Sequence, residues 1–199
     1  MDFIFIIIIL IMSVVVHEVS HGFMALYLGD PTAKYAGRLT LNPLKHLDPV
    51  GSILVPILGY FGGGVIIGWA KPVPFNPYNL RNQKWGEALV AIAGPLSNIV
   101  LAIIFTLIIR SFDLGAGLFL VKYLVFLNIV LAIFNLVPIP PLDGSKILFA
   151  LFPTKLASFR ANVEHYGLVL VLIFIFFFSQ LISPVAQKIF SLLVGPGTM

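Results

Sequence analysis

The chain predicts an all-α membrane protein, with about four to six transmembrane helices and a re-entrant, glycine-rich or β-like element after the first of them. Three observations carry this expectation. The first is composition: of 199 residues, 59% are hydrophobic and only 10% are charged, and the mean hydropathy is +1.06. A soluble domain of this length cannot hide so many apolar side chains. The second is the grouping of those residues into runs that can cross a bilayer core of about 30 Å at about 1.5 Å per residue. The third is an uneven distribution of lysine and arginine between the runs.

The first run extends from Phe3 to Leu28, and before His17 its only polar residue is Ser13. It is too long for a cleaved leader, and no basic residue precedes it. The second reaches from Ala88 to Ile109, bracketed by Glu87 and Arg110. The third covers about Gly117 to Leu136, with Lys122 near its start able to snorkel. The fourth is Tyr166 to Ile182, which Pro184 ends or kinks before an amphipathic tail. Its aromatic stretch, Phe174 to Phe178, reads as lipid-facing bulk.

A further uncharged stretch, Val50 to Trp69, contains six glycines and Pro56, a poor composition for a straight helix. Charge decides its topology. If it returns to the side it left, Lys34, Arg38, Lys45, Lys71, Arg81, Lys84, Lys146, Lys155 and Arg160 share one side, and Arg110, Lys122 and Lys188 the other. If it crosses, the two sides are even. The positive-inside rule favours the re-entrant form, with the N-terminus outside and the long second loop in the cytoplasm of a cell-membrane protein. Irregular backbone at that depth must be buried in protein or line a wet cavity. The expected organisation is one polytopic domain over 1–199, a core over 1–158 followed by C-terminal helices over 159–199. The net charge of +4 comes without a basic cluster, so lipid rather than nucleic acid is the expected surface partner.

Inside the first run lies His17-Glu18-Val19-Ser20-His21. Residues four apart share a helix face, so both imidazoles can turn toward one ion. Glu18 projects roughly 100° round the helix, beside such an ion rather than onto it, where a general base belongs. This is the H-E-x-x-H pattern of zinc metalloproteases, and a shuffled chain of this composition shows it about once in a thousand times. Ionisable groups at bilayer depth are expensive and point to function. The bland alternative is a polar patch that packs helices. The chain has no cysteine, which leaves His, Asp and Glu as ligands.

Catalytic zinc takes three protein ligands and keeps a fourth position open. His46, Asp48, Glu87, Asp143 and Glu164 all fall on the side where the first helix ends. Asp143 stands out, because it directly follows Asn135-Leu-Val-Pro-Ile-Pro-Pro-Leu, where prolines 138, 140 and 141 hold the chain extended and can aim a carboxylate back into the bundle. It shares that side only if Val50 to Trp69 does not cross. Asn98 and Asn128 read as interhelical hydrogen-bonding residues, His46 and Asp48 as loop-shaping residues, and Lys71 as an interface marker.

The H-E-x-x-H motif on a spanning helix, followed by N-x-x-P-x-P-P-L-D-G, resembles the site-2 protease family of intramembrane zinc metalloproteases. Three further stretches are similar: Asn42 to Gly51, Gly68 to Pro77, and Gly94-Pro-Leu-Ser-Asn98. The resemblance runs from Met1 to beyond Leu148. It implies one Zn²⁺ per chain, held by His17, His21 and Asp143, with Glu18 as catalytic base and Asn135 contacting the substrate backbone. The substrate implied is a transmembrane protein, cut in or near its membrane segment. Ser145 stands where a second glycine often follows Asp-Gly, and the PDZ and CBS domains of some relatives are not found. The alternative reading from the residues is a zinc transporter or metal sensor, with the same four side chains forming a transit site.

Overall fold

The computed structural model describes residues 2–48, 50–51, 70–152 and 157–195. Among them there are helices and turns but no strand. The helices are α1 (Asp2–Tyr27), the short α2 (Thr32–Tyr35), α3 (Gly86–Ser111), α4 (Leu118–Asn135), α5 (Asp143–Leu151), α6 (Ala157–His165), α7 (Gly167–Phe178) and α8 (Ile182–Val194). Among the described residues, three stretches are long and apolar enough to cross a membrane: Ile4–Tyr27, Gly86–Ser111 and Gly115–Asn135. A fourth arises only if α6 and α7, bent by 64° at their junction, count as one broken span. Among the described residues the spans thus number three, or four with the bent pair, against the expected four to six.

The fourth run differs from expectation. At 12 residues, α7 is about 18 Å long, short of a core of about 30 Å. The helix direction breaks beside Gly167, where an added Cβ would lie 3.0 Å from Pro140, so the start of α7 rests directly on the proline run. After α7 comes a 3₁₀ turn, Ser179–Leu181, and Pro184 falls in the first turn of α8, where its missing N–H is not needed. The proline run is also not extended. Leu136 to Leu142 form successive tight turns, with the Ile139 amide bonded to the Val137 carbonyl and the Leu142 amide to the Ile139 carbonyl.

The central helix is α3, which packs on α1, α4, α5 and α8. Small residues along it (Ala88, Ala91, Gly94, Ala102) bring neighbouring backbones close, the usual device where lipid offers no hydrophobic drive for helix association. On its other half Ala102 meets Val125, Ile129, Ala186 and Phe190, with Phe126 and Phe190 edge-to-face at 5.9 Å. The amphipathic tail expected after Pro184 is thus docked: α8 buries Ala186 and Phe190 against α3 and α4. Outward positions such as Ile8, Leu96, Leu107 and Phe176 are apolar and exposed, as lipid-facing positions should be.

The connection from α1 to α3 returns to the end it left. Arg81 donates its amide to the Leu28 carbonyl, and Asp30 accepts from the Asn76 amide at 2.6 Å and from Asn79 Nδ2 at 2.8 Å. Burial alone would push the Asp30 carboxyl up, but hydrogen bonds from Thr32, Asn79 and the Asn76 amide outweigh it and hold the pKa below the usual range. Further out, the Lys71 amide bonds the His46 carbonyl, and Arg38 Nη2 bonds the Lys71 carbonyl. The chain on either side of 52–69 is therefore tied together, and α1 and α3 run antiparallel. Of the stretch expected to be re-entrant, only Val50 and Gly51 are among the described residues.

Candidate metal centre

Three side chains from two elements converge at one point. His17 and His21, one turn apart on α1, bring their Nε2 atoms within 3.1 Å of each other. Asp143, the first residue of α5, places Oδ2 3.2 Å from each. The proline turns make this possible, and Gly144 is required beside it, because an added Cβ there would lie 2.2 Å from the Leu136 carbonyl oxygen. His17 and Asp143 are buried, and the His21 side chain is only 11% exposed.

The proton positions follow from the partners of the other ring nitrogens. His21 Nδ1 faces the Val90 carbonyl at 2.7 Å, so it donates. His17 Nδ1 faces Asn98 Oδ1 at 2.6 Å. The Asn98 orientation is fixed in turn, since Asn98 Nδ2 donates to Asn128 Oδ1 at 2.8 Å, and Asn128 Nδ2 donates to Ser13 Oγ and the Leu124 carbonyl. His17 Nδ1 is therefore also a donor. In neutral imidazole this leaves both Nε2 atoms with bare lone pairs.

With both rings neutral, two nitrogen lone pairs and a carboxylate oxygen face one another, and Asp143 Oδ2 is buried without a hydrogen-bond partner. Three acceptors so close repel unless a cation joins them. Their separations match the edge of a tetrahedron with metal–ligand bonds of about 2.0 Å, which is about 3.3 Å. Two imidazoles and a carboxylate are a donor set that suits zinc and leaves a fourth position open. The residues fit the ion.

Gly94 makes the convergence sterically possible. On α3, Val90, Gly94 and Asn98 are spaced by four and form one stripe, antiparallel to His21 and His17. A Cβ at Gly94 would lie 2.5 Å from His21 Nε2 and 2.6 Å from His17 Cε1. Sequence reasoning gave no role at the metal to the Val90 carbonyl or to Gly94, which it quoted only within the stretch Gly94 to Asn98, and read Asn98 as an interhelical hydrogen-bonding residue with a substrate-facing role as the lesser reading. The four-residue spacing of Gly94 and Asn98 against that of the histidines is the signal that could have found them.

Glu18 accepts the Val73 amide on Oε2 at 2.8 Å, a contact no sequence pattern indicated. Asn135 does not face the cluster through its amide nitrogen, since Nδ2 donates to the Leu131 carbonyl within its own helix at 2.9 Å. The other third-ligand candidates are engaged elsewhere. Glu87 and Glu164 both pair with Arg160, His46 Nε2 donates to the Thr40 carbonyl, and Asp48 Oδ1 accepts the amides of Val50 and Gly51. Among the described residues, His17, His21 and Asp143 are the one such group that could hold a metal ion.

Comparison with known proteins agrees with this geometry. The sequence model of peptidase family M50 matches residues 5–119 and 110–178. YwhC of Bacillus subtilis (strain 168) is 39% identical over 180 residues, covering 85% of this chain and 78% of YwhC. Rip2 of Mycolicibacterium smegmatis is 31% identical over 187 residues, covering 92% of this chain and 69% of Rip2. MJ0392 of Methanocaldococcus jannaschii is 29% identical over 173 residues, covering 85% of this chain and 41% of that protein. All three names carry the words zinc metalloprotease. No solved structure matches the chain. A match over most of its length sets aside the transporter alternative and bears out the resemblance read from the motifs: the chain belongs to peptidase family M50, the site-2 proteases, and is a membrane-embedded zinc metalloprotease.

Proposed function

We infer that this zinc metalloprotease is an intramembrane endopeptidase, hydrolysing peptide bonds in or near the transmembrane segments of other membrane proteins. The observation that carries the reading is the placement of His17, Glu18 and His21 within the apolar span Ile4–Tyr27, with Asp143 turned back against them.

His17, His21 and Asp143 would hold one zinc ion. Zinc, when bound, supplies Lewis acidity, lowering the pKa of a water to about 7 and polarising the scissile carbonyl. Asn98 and the Val90 carbonyl keep the Nδ1 protons in place, so the Nε2 lone pairs stay aimed inward. Glu18 takes a proton from the attacking water and returns it to the leaving amine. The Val73 amide occupies Glu18 Oε2, which leaves Oε1 for that proton. Asn135 would hold the substrate backbone once its own bond to Leu131 is exchanged. A transmembrane helix satisfies its amides internally, so the substrate must unwind before its carbonyl is reachable.

The catalytic core would be 1–158 and the later helices a supporting unit. The N-terminus would lie outside and the site near the cytoplasmic face of the cell membrane. The charge distribution supports this, as does the return of the chain to the end of α1 before α3 begins.

The test is co-expression with a panel of single-span membrane proteins, comparing wild type with Glu18→Gln. Products trimmed within or beside the apolar segment, made by wild type and not by the variant, are the expected result. Cleavage confined to soluble domains would contradict the intramembrane reading.

A further inference from the structure

Away from the histidines, the chain between α1 and α3 forms an open cleft. A cavity of ≈ 440 Å³ is walled by Arg38, Lys45 and Lys71, with Leu44, Pro72 and Pro74 among its apolar sides. Three cations line it and no carboxylate does. Among the described residues, none of the three forms an ion pair. Arg38 is the telling residue. It is 6% exposed, donates Nη2 to the carbonyls of Lys71 and Pro72 at 2.6 and 3.3 Å, and keeps a buried Nε with no hydrogen-bond partner among the described residues. A buried guanidinium with only carbonyl partners is a strong anchor for an anion, above all one with phosphate geometry.

The surroundings indicate where that anion comes from. Tyr35, at the end of α2, and Leu41 and Leu44 beyond it are largely exposed. Aromatic and aliphatic tips beside lysines describe a surface seated at the headgroup level, with the basic groups among phosphates and the apolar tips at the acyl boundary. Basic residues just beyond a spanning helix attract anionic lipid on the cytoplasmic leaflet.

We propose that the Arg38–Lys45–Lys71 cavity binds the phosphate group of an anionic phospholipid. The bound phosphate would fasten Lys71 and Pro72, and so the chain leading into Val73, whose amide is bonded to Glu18. The binding claim rests on the cytoplasmic placement proposed above but not on proteolysis, and the consequence for Glu18 rests also on the catalytic reading.

The experiment measures binding, not activity. Purified full-length protein in detergent is titrated with phosphatidylglycerol, phosphatidylcholine and inorganic phosphate, and association is read by native mass spectrometry and thermal unfolding. Lys45→Gln/Lys71→Gln is the main variant because both side chains are exposed and replaceable without disturbing the core. Arg38→Gln is the second, and Lys34→Gln/Lys84→Gln, basic and exposed but outside the cavity, is the control. At about fivefold per lysine, the double variant should bind phosphatidylglycerol on the order of twenty-fold more weakly, while the control binds like wild type. Equal binding of phosphatidylcholine, unchanged binding by the double variant, or equal weakening by the control would each overturn the proposal. Saturation by inorganic phosphate alone would assign the site to free phosphate and overturn its assignment to lipid.

Discussion

Replacing Gly94 by alanine is a small change to a helix and should be a large one to the metal centre. Gly94 lies in the middle of α3 with helical backbone, so alanine relieves the conformational entropy of glycine and favours the helix by about 1 kcal/mol. The new methyl would lie 2.5 Å from His21 Cε1 and Nε2 and 2.6 Å from His17 Cε1. Non-bonded carbons rest at about 3.5 Å or more, so each ring must retreat by about 1 Å, or α3 must lift from α1 by a similar distance. Metal–ligand distances tolerate only about 0.2 Å, and either movement exceeds that severalfold. Overpacking of this kind costs about 1–3 kcal/mol, which the gain in propensity partly offsets, so the fold should survive. Gly94→Ala should therefore stay folded and lose zinc affinity by about 100-fold or more, measured by competition with a chromophoric chelator. Gly117→Ala, where nothing lies within 4 Å of the added Cβ, should bind zinc like wild type. Unchanged zinc affinity in a folded Gly94→Ala protein would refute the packing of α1 on α3 described here.

Asn98→Ala removes the acceptor of the His17 Nδ1 proton, and zinc affinity should fall about 10- to 100-fold in the same competition assay. Asn135→Ala should slow cleavage of a single-span substrate while zinc content stays full; joint loss of zinc and activity would make Asn135 a structural brace. Asp30 has a folded pKa below its unfolded value, so its contribution to stability is fully present above the unfolded value of about 3.9 and is lost as pH falls through the folded pKa. Thermal unfolding between about pH 5 and 2 should therefore show a decline in wild type that is shallower in Asp30→Asn.

The sequence made the first histidine pair legible because a helix turns four-residue spacing into a shared face. Asp143 was legible for a different reason, since only a chain that returns to the end of α1 puts it within reach, and charge bias argued for that return. The seat of the centre was hidden. The Val90 carbonyl has no side-chain signature, and Gly94 reads in one dimension like any small residue on an apolar helix. Asn98 looked like interhelical hydrogen bonding, and that is what it does, but its partner is the His17 ring. The bend beside Gly167 escaped notice because the residues after it are uniformly apolar, which gives no period from which to read a direction. The turns from Leu136 to Leu142 escaped for the opposite reason. Prolines forbid helix, but by themselves they do not distinguish an extended chain from a folded one.

The central claim is that His17, His21 and Asp143 hold one zinc ion and that Glu18 serves it without binding it. X-ray absorption at the zinc edge, with metal counting, on purified wild type, Asp143→Ala and Glu18→Gln tests this most directly. Wild type should contain one zinc per chain, with two imidazole nitrogens and carboxylate oxygen at about 2.0 Å. Glu18→Gln should give the same spectrum and stoichiometry but cleave about 10²- to 10⁴-fold more slowly. Asp143→Ala should lose one oxygen ligand and most of its zinc. A full zinc complement and an unchanged spectrum in Asp143→Ala, or loss of zinc in Glu18→Gln, would contradict the assignment.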